Sequence, residues 1–150
     1  ASIYAQYNTG DDIRGGISVC DLNNDGQLDL LFGGYDDKIH VWDPVANELL
    51  PGWPVDLGYN SLSEPVLADL DGDGQIEIVV SCEAANGAKS GVFYLKQIKG
   101  KWMDHDIGGP KGLKYDRIEL LDLDGDGDLD LLTCEERDFN AVLWYENPLK

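Results

Sequence analysis

Basic side chains are scarce. Eleven Lys and Arg stand against 29 Asp and Glu, a net charge of −18 at neutral pH over 150 residues. Such a surface repels phosphate backbones and anionic lipid headgroups, so no nucleic-acid partner is expected. Long hydrophobic runs are missing too: nothing approaches the roughly 18 apolar residues of a spanning helix, which excludes insertion by that route. The opening "ASIYAQYN" has no basic segment leading into an apolar one and does not read as a signal peptide. Cysteine is limited to Cys20, Cys82 and Cys134, an odd number without CxxC spacing. They read as small buried hydrophobes rather than as a disulfide framework, a zinc set or nucleophiles. Histidine is limited to His40 and His105, both in strand-like surroundings, and no GxSxG, HExxH or phosphate-cradling Gly-rich loop occurs. Paired carboxylates of the glycosidase kind could be drawn from so many acids, but nothing selects a pair. No enzymatic activity of the chain's own is expected.

What the chain has in excess is acid, and it is clustered. "DLNNDGQLDLL" from Asp21, "DLDGDGQIEIV" from Asp69 and "DLDGDGDLDLL" from Asp122 hold twelve of the 29 acidic residues. Their first aspartates are 48 and 53 residues apart, a period that signals a repeat architecture. Around them the apolar residues fall in short runs bounded by Gly, Asn, Asp and Pro, as strands do. Helix is hard to place, because Pro44, Pro51, Pro54 and Pro65 interrupt the only candidate window.

Aligned on the acids, each unit reads as up to four strands. "ISVCDL", "PVLADL" and "IELLDL" enter the acidic stretch; "QLDLLFG", "QIEIVVS" and "DLDLLTC" leave it. "KIHVWD", "GVFYLKQI" and "AVLWYEN" follow, and "GWPVDLG" and "KWMDHDIG" supply a fourth strand in two units. A helix-free, four-stranded unit of about 50 residues predicts a β-propeller blade, with a β-sandwich or an unusual solenoid as the alternatives. The chain is therefore read as one all-β domain over 1–150, with three blades at about 10–57, 58–106 and 107–150. Trp42, Trp53, Trp102 and Trp144 fall at strand positions and read as packing residues between blades.

Alternating acids in a tight loop can turn their oxygens on one hard cation, and calcium takes six to eight oxygen ligands. The first loop offers Asp21, Asn23, Asp25 and Asp29 with the carbonyl of Gln27. Asp69, Asp71, Asp73 and Glu77 with the carbonyl of Gln75 form the second set. Asp122, Asp124, Asp126 and Asp130 with the carbonyl of Asp128 form the third. The residue after the fifth position is Gly26, Gly74 or Gly127, as a sharp turn with positive φ requires; the fourth is looser, Asn24, Gly72 or Gly125. An EF-hand is excluded, since its twelfth-position Glu is replaced by Phe32, Val80 or Thr133 and the flanks are strands. Soft metals are disfavoured by the absence of His and Cys among the donors. Three calcium ions per chain are expected.

The pattern D-x-[DN]-x-D-G-x-x-[DE] between apolar strands resembles the FG-GAP or VCBS repeat of integrin-α-type β-propellers. "LLFGG" after the first loop and "KYDRIELLDLDGDGDLDLLTCEERDFNAVLWYENP" carry the resemblance furthest. It implies a calcium that is structural, and an extracellular or cell-surface setting. It also implies a range of roles: adhesion modules, lectins and propeller domains attached to enzymes. The expected function is a calcium-stabilised binding or adhesion module for a carbohydrate or protein. The alternative is a fragment or accessory domain of a polysaccharide-processing enzyme.

Ligand-binding loops are expected opposite the calcium loops, where Tyr35, Tyr59 and Tyr115 mix with Asp36, Asn60, Glu64, Asn86, Arg14, Arg117 and Arg137. The third unit offers no fourth strand, while "ASIYAQYN" precedes the first acidic loop at a fourth strand's distance. Three blades are too few for a ring of the usual four to eight. A homodimer closing one six-bladed ring is therefore expected, residues 1–8 of each chain completing the other's last blade. A piece of a longer propeller is the rival.

Overall fold

Each acidic stretch separates two strands that pair directly across it. The computed structural model describes residues 2–83, 90–109 and 114–148. Among these it is all-β: twelve strands in three antiparallel sheets, with no helix. In the first sheet β1 (Ser18–Cys20), β2 (Asp29–Gly33), β3 (Lys38–Asp43) and β4 (Glu48–Leu49) follow in order, and β5 (Val55–Asp56) also pairs with β3. The second is β6 (Val66–Ala68), β7 (Glu77–Ser81), β8 (Val92–Ile98) and β9 (Lys101–Asp106). The third is β10 (Tyr115–Leu121), β11 (Asp130–Glu135) and β12 (Ala141–Tyr145).

The fourth strand of the first unit, expected as one run, is broken. Lys38 and Ile39 pair with Asp56 and Val55, whereas Trp42 and Asp43 pair with Leu49 and Glu48. Pro51 and Pro54 lie between the two pieces and have no N–H to give a ladder. Gly52 turns the chain there with φ +91°. The corresponding β9 carries no proline and runs along β8 without interruption.

The sheets pack face to face through apolar side chains. Leu31, Ile39 and Val41 of the first sheet meet Ile78, Val80 and Leu95 of the second, with Trp53 against Trp102 at 5.0 Å between ring centroids. Val79 and Val92 on the other face of the second sheet meet Tyr115, Ile118 and Leu131 of the third. Strand β7 is thus buried on both sides, which is why "EIVVS" is a continuous run rather than an alternation. Full burial of each such Ile, Leu or Val contributes about 1.5–3 kcal/mol. The first strands, β1, β6 and β10, line one open cleft of about 610 Å³, and Ser18 Oγ donates to the Pro65 carbonyl between the first two.

Trp42 and Trp53 are buried, as packing residues should be, but Trp144 on the outer strand β12 is 51% exposed. Residues 2–8 lie outside the twelve strands. Tyr7 holds this segment to its own first sheet, its ring 5.5 Å from His40 and 6.0 Å from Trp42. His40 is buried with both nitrogens engaged: Nε2 lies 2.9 Å from Asp36 Oδ2 and Nδ1 3.1 Å from the Tyr7 hydroxyl. Neutral imidazole satisfies both, donating to the carboxylate and accepting from the phenol. Burial holds the His40 pKa below the ordinary value against the opposing pull of Asp36. None of the three cysteines is joined in a disulfide among the described residues, and burial pushes Cys20 up to about 11, away from reactivity.

Candidate metal loops

One hydrogen-bond scheme is repeated in all three acidic loops. The first-position acid accepts from the glycine N–H five residues on: Asp21 from Gly26 at 2.8 Å, Asp69 from Gly74 at 2.9 Å, Asp122 from Gly127 at 3.2 Å. The fifth-position acid accepts two residues on: Asp25 from Gln27 at 2.8 Å, Asp73 from Gln75 at 2.9 Å, Asp126 from Asp128 at 3.0 Å. The ninth-position acid reaches back across the loop. Asp29 accepts from Leu22 at 2.9 Å, Glu77 from Leu70 at 2.8 Å and Asp130 from Leu123 at 3.1 Å. The extra methylene of Glu77 is absorbed without losing that bond.

The backbone explains two glycine positions, not one. Gly26, Gly74 and Gly127 have φ of +88°, +86° and +97°. The fourth position, which looks loose in the sequence, is also left-handed: Asn24 at +57°, Gly72 at +73° and Gly125 at +83°. Asn is the non-glycine residue that tolerates this region best, so the apparent variability obeys one constraint.

These turns gather carboxylates to different degrees. Oxygens of Asp122, Asp124 and Asp126 lie within 4.8 Å of one another, as do those of Asp69, Asp71 and Glu77. Such separations suit ligands placed 2.3–2.6 Å from one hard cation. Among the described residues these are the two groups so gathered. In the first loop Asn23 takes a corner, its amide donating to Asp25 at 2.9 Å while its oxygen accepts from the Asp25 N–H at 3.0 Å.

The closing acids differ electrostatically. Burial pushes Asp29 up, against the Leu22 N–H, and Asp25, Asp43 and Asp21 add to the rise. The Asn147 N–H at 3.0 Å holds Asp130 down, helped by Leu123 and Trp144.

Lys96 is the residue that sequence reading missed. Its Nζ lies 2.5 Å from Asp71 Oδ2, 2.8 Å from Asp73 Oδ2 and 3.1 Å from Glu77 Oε1. Desolvation favours the neutral amine, yet the hydrogen bonds to Asp71 and Asp73 and the ion pair with Glu77 outweigh it and raise the Lys96 pKa. In return the Lys96 bond, ahead of the Gln75 N–H, holds Asp73 low. The first and third loops have no such lysine among the described contacts.

At the other end of the strands the turns are stitched by a second repeated bond. Tyr35 N–H donates to the Asp12 carbonyl at 3.0 Å, Glu83 to Asn60 at 3.2 Å and Glu136 to Lys114 at 3.1 Å. Arg14 stands here with its guanidinium 5.0 Å from the Tyr35 ring centroid, and Glu64 is exposed nearby against Gly16. Asp36 is drawn inward to His40. Tyr115, expected at the surface, is instead 1% exposed with its hydroxyl 3.2 Å from that of Tyr145. It opens strand β10 rather than belonging to the preceding loop, so it cannot face a ligand. Arg117 likewise sits on β10, paired with Glu119 at 2.9 Å. Arg137 is exposed in the β11–β12 turn, and Asn86 lies outside the described residues.

Compared with curated proteins, the chain finds no match. Residues 21–80, which contain the first two acidic loops and all five strands between them, match the family model of the FG-GAP-like repeat.

Proposed function

We propose that the chain is a calcium-stabilised β-propeller module that binds a ligand and does no chemistry of its own. The observation that carries this reading is the threefold hydrogen-bond scheme of the acidic loops. Local N–H donors fix the orientation of each key acid, on both oxygens in Asp21 and Asp122, and the lone pairs they do not use are left to converge on a cation. Bound there, calcium supplies the charge that offsets repulsion among the acids and ties the entering strand to the leaving one. The reading extends the FG-GAP-like match to the third unit, where Asp122, Asp124, Asp126 and Asp130 repeat the pattern in the manner of VCBS repeats. Sheets stacked face to face, with β1, β6 and β10 around one cleft, support the propeller arrangement.

The ligand face is placed opposite the metal loops, where Arg14, Tyr35, Asn60 and Glu64 form a polar and aromatic surface suited to a carbohydrate or a protein loop. Assembly is proposed as a dimer forming one six-bladed ring. Strand β12 is an outer edge with Val142 72% and Trp144 51% exposed, and Ile3 and Tyr4 are 78% and 88% exposed. Pairing residues 2–6 of one copy against β12 of the other covers both, with Tyr7 as the tether. Light scattering in calcium should give about 33 kDa, twice the 16.5 kDa of one chain; a value near one chain rejects the dimer. A glycan array probed with and without EDTA should show calcium-dependent binding that Arg14→Ala and Tyr35→Ala abolish. Turnover of a polysaccharide that survives repurification would overturn the non-enzymatic reading.

A further inference from the structure

The register of the sheets places one residue opposite each closing acid. Leu30 pairs with Trp42, Ile78 with Leu95 and Leu131 with Tyr145. One step further along each ladder sets Asp43 against Asp29, Lys96 against Glu77 and Glu146 against Asp130. The facing residue is therefore acidic in the first and third sheets and basic in the second. Asp43 is 4% exposed and turns Oδ1 to the N–H groups of Val45 and Ala46 at 2.7 and 2.9 Å, and its charge is felt at Asp29. Lys96 instead extends into the loop beside it and sits within 3.1 Å of three carboxylates belonging to three different ligand positions. Its side chain is only 15% exposed.

We infer that the second acidic loop takes no metal at calcium concentrations that fill the other two, because Lys96 is its resident cation. This deepens the calcium reading given above and rests on it for the first and third loops. An ammonium at these distances occupies the volume and uses the oxygens that a calcium ion needs. The two cannot share the loop, since both are positive and would lie closer than their ligand spheres permit. Tethering also gives the ammonium an effective concentration on the order of millimolar or more. A free ion must displace it against that advantage. The second loop is then closed by an ion-pair cluster that needs no calcium, and the chain holds two calcium ions rather than three.

Native mass spectrometry of chelator-stripped protein, titrated with calcium alone, reads the count directly. Wild type should bind two ions, and Asp73→Asn should leave that number unchanged. Lys96→Met should bind three, with the third lost in the Lys96→Met, Asp73→Asn double variant. In EDTA, Lys96→Met should melt several degrees below wild type, while Lys96→Arg should stay near it. Three ions on wild type, one of them removed by Asp73→Asn, would overturn the inference, as would a Lys96→Met melting curve in EDTA that overlays wild type. If Lys96→Met does not fold in EDTA, the wild-type and Asp73→Asn counts decide alone. Failure of the calcium reading looks different: wild type binds no ion and Asp25→Asn and Asp126→Asn change nothing, while Lys96→Met still lowers the metal-free melting temperature.

Discussion

Glu135→Ala should destabilise the chain by about 3 kcal/mol, among the largest losses from any single side chain outside the apolar core. Glu135 is 2% exposed and its carboxylate accepts four backbone N–H groups. Oε1 takes Lys114 at 3.2 Å and Arg137 at 3.1 Å; Oε2 takes Asp138 at 2.8 Å and Phe139 at 2.7 Å. One side chain therefore shapes the β11–β12 turn and fastens it to the start of β10. Hydrogen bonds to a charged group contribute roughly 1.5–3 kcal/mol each when isolated, and donors left without a partner cost more than the bond was worth. Glu135→Gln is the sharper comparison. Its amide nitrogen turns a donor toward donors, so it should lose stability as well, despite matching the shape. Urea unfolding of both variants checks this. Wild-type stability in Glu135→Gln would show that the turn is held by shape and not by the carboxylate.

Calcium removal should lower the melting temperature by roughly 10–20 °C. A site saturated at about 100 times its Kd adds roughly 2.7 kcal/mol when the unfolded chain does not bind. Two such sites give about 5 kcal/mol, and in a chain of this size each kcal/mol moves the midpoint by roughly 2–4 °C. Asp126→Ala, which removes a third-loop ligand and the bond to the Asp128 N–H, should forfeit about half of the calcium-dependent shift. Thermal melts in calcium and in EDTA, compared between wild type and Asp126→Ala, read both effects. A calcium-independent midpoint in wild type would separate the fold from the metal entirely.

The repeat was legible in the sequence because its constraint is local. Acids at alternate positions (Asn23 standing at one of them in the first loop), a glycine and a closing acid at fixed spacing encode a turn whose repeated backbone hydrogen bonds lie within the loop. The strands around it followed from short apolar runs, which β2, β3 and β7 bury on both faces. What depended on partners distant in sequence was not legible. Tyr115 reads as a loop aromatic because "KYDR" is polar around it, yet stacking of the third sheet on the second buries it beside Val79 and Val92. The broken fourth strand of the first unit was visible in Pro51 and Pro54 only once their place beside β3 was known. Lys96 lies 19 residues beyond Glu77 in the chain and reaches the loop only through the pairing of β7 with β8. A signal for it existed: aligning Asp43, Lys96 and Glu146 through the strands exposes the change of sign. That alignment requires the register, which the structure supplies.

The central claim is that the first and third acidic loops are calcium sites, and calorimetric titration of chelator-stripped protein with calcium tests it most directly. Saturable binding that magnesium does not reproduce is expected, losing one ion each in Asp25→Asn and Asp126→Asn. A flat titration with wild-type protein that is folded throughout would contradict the account.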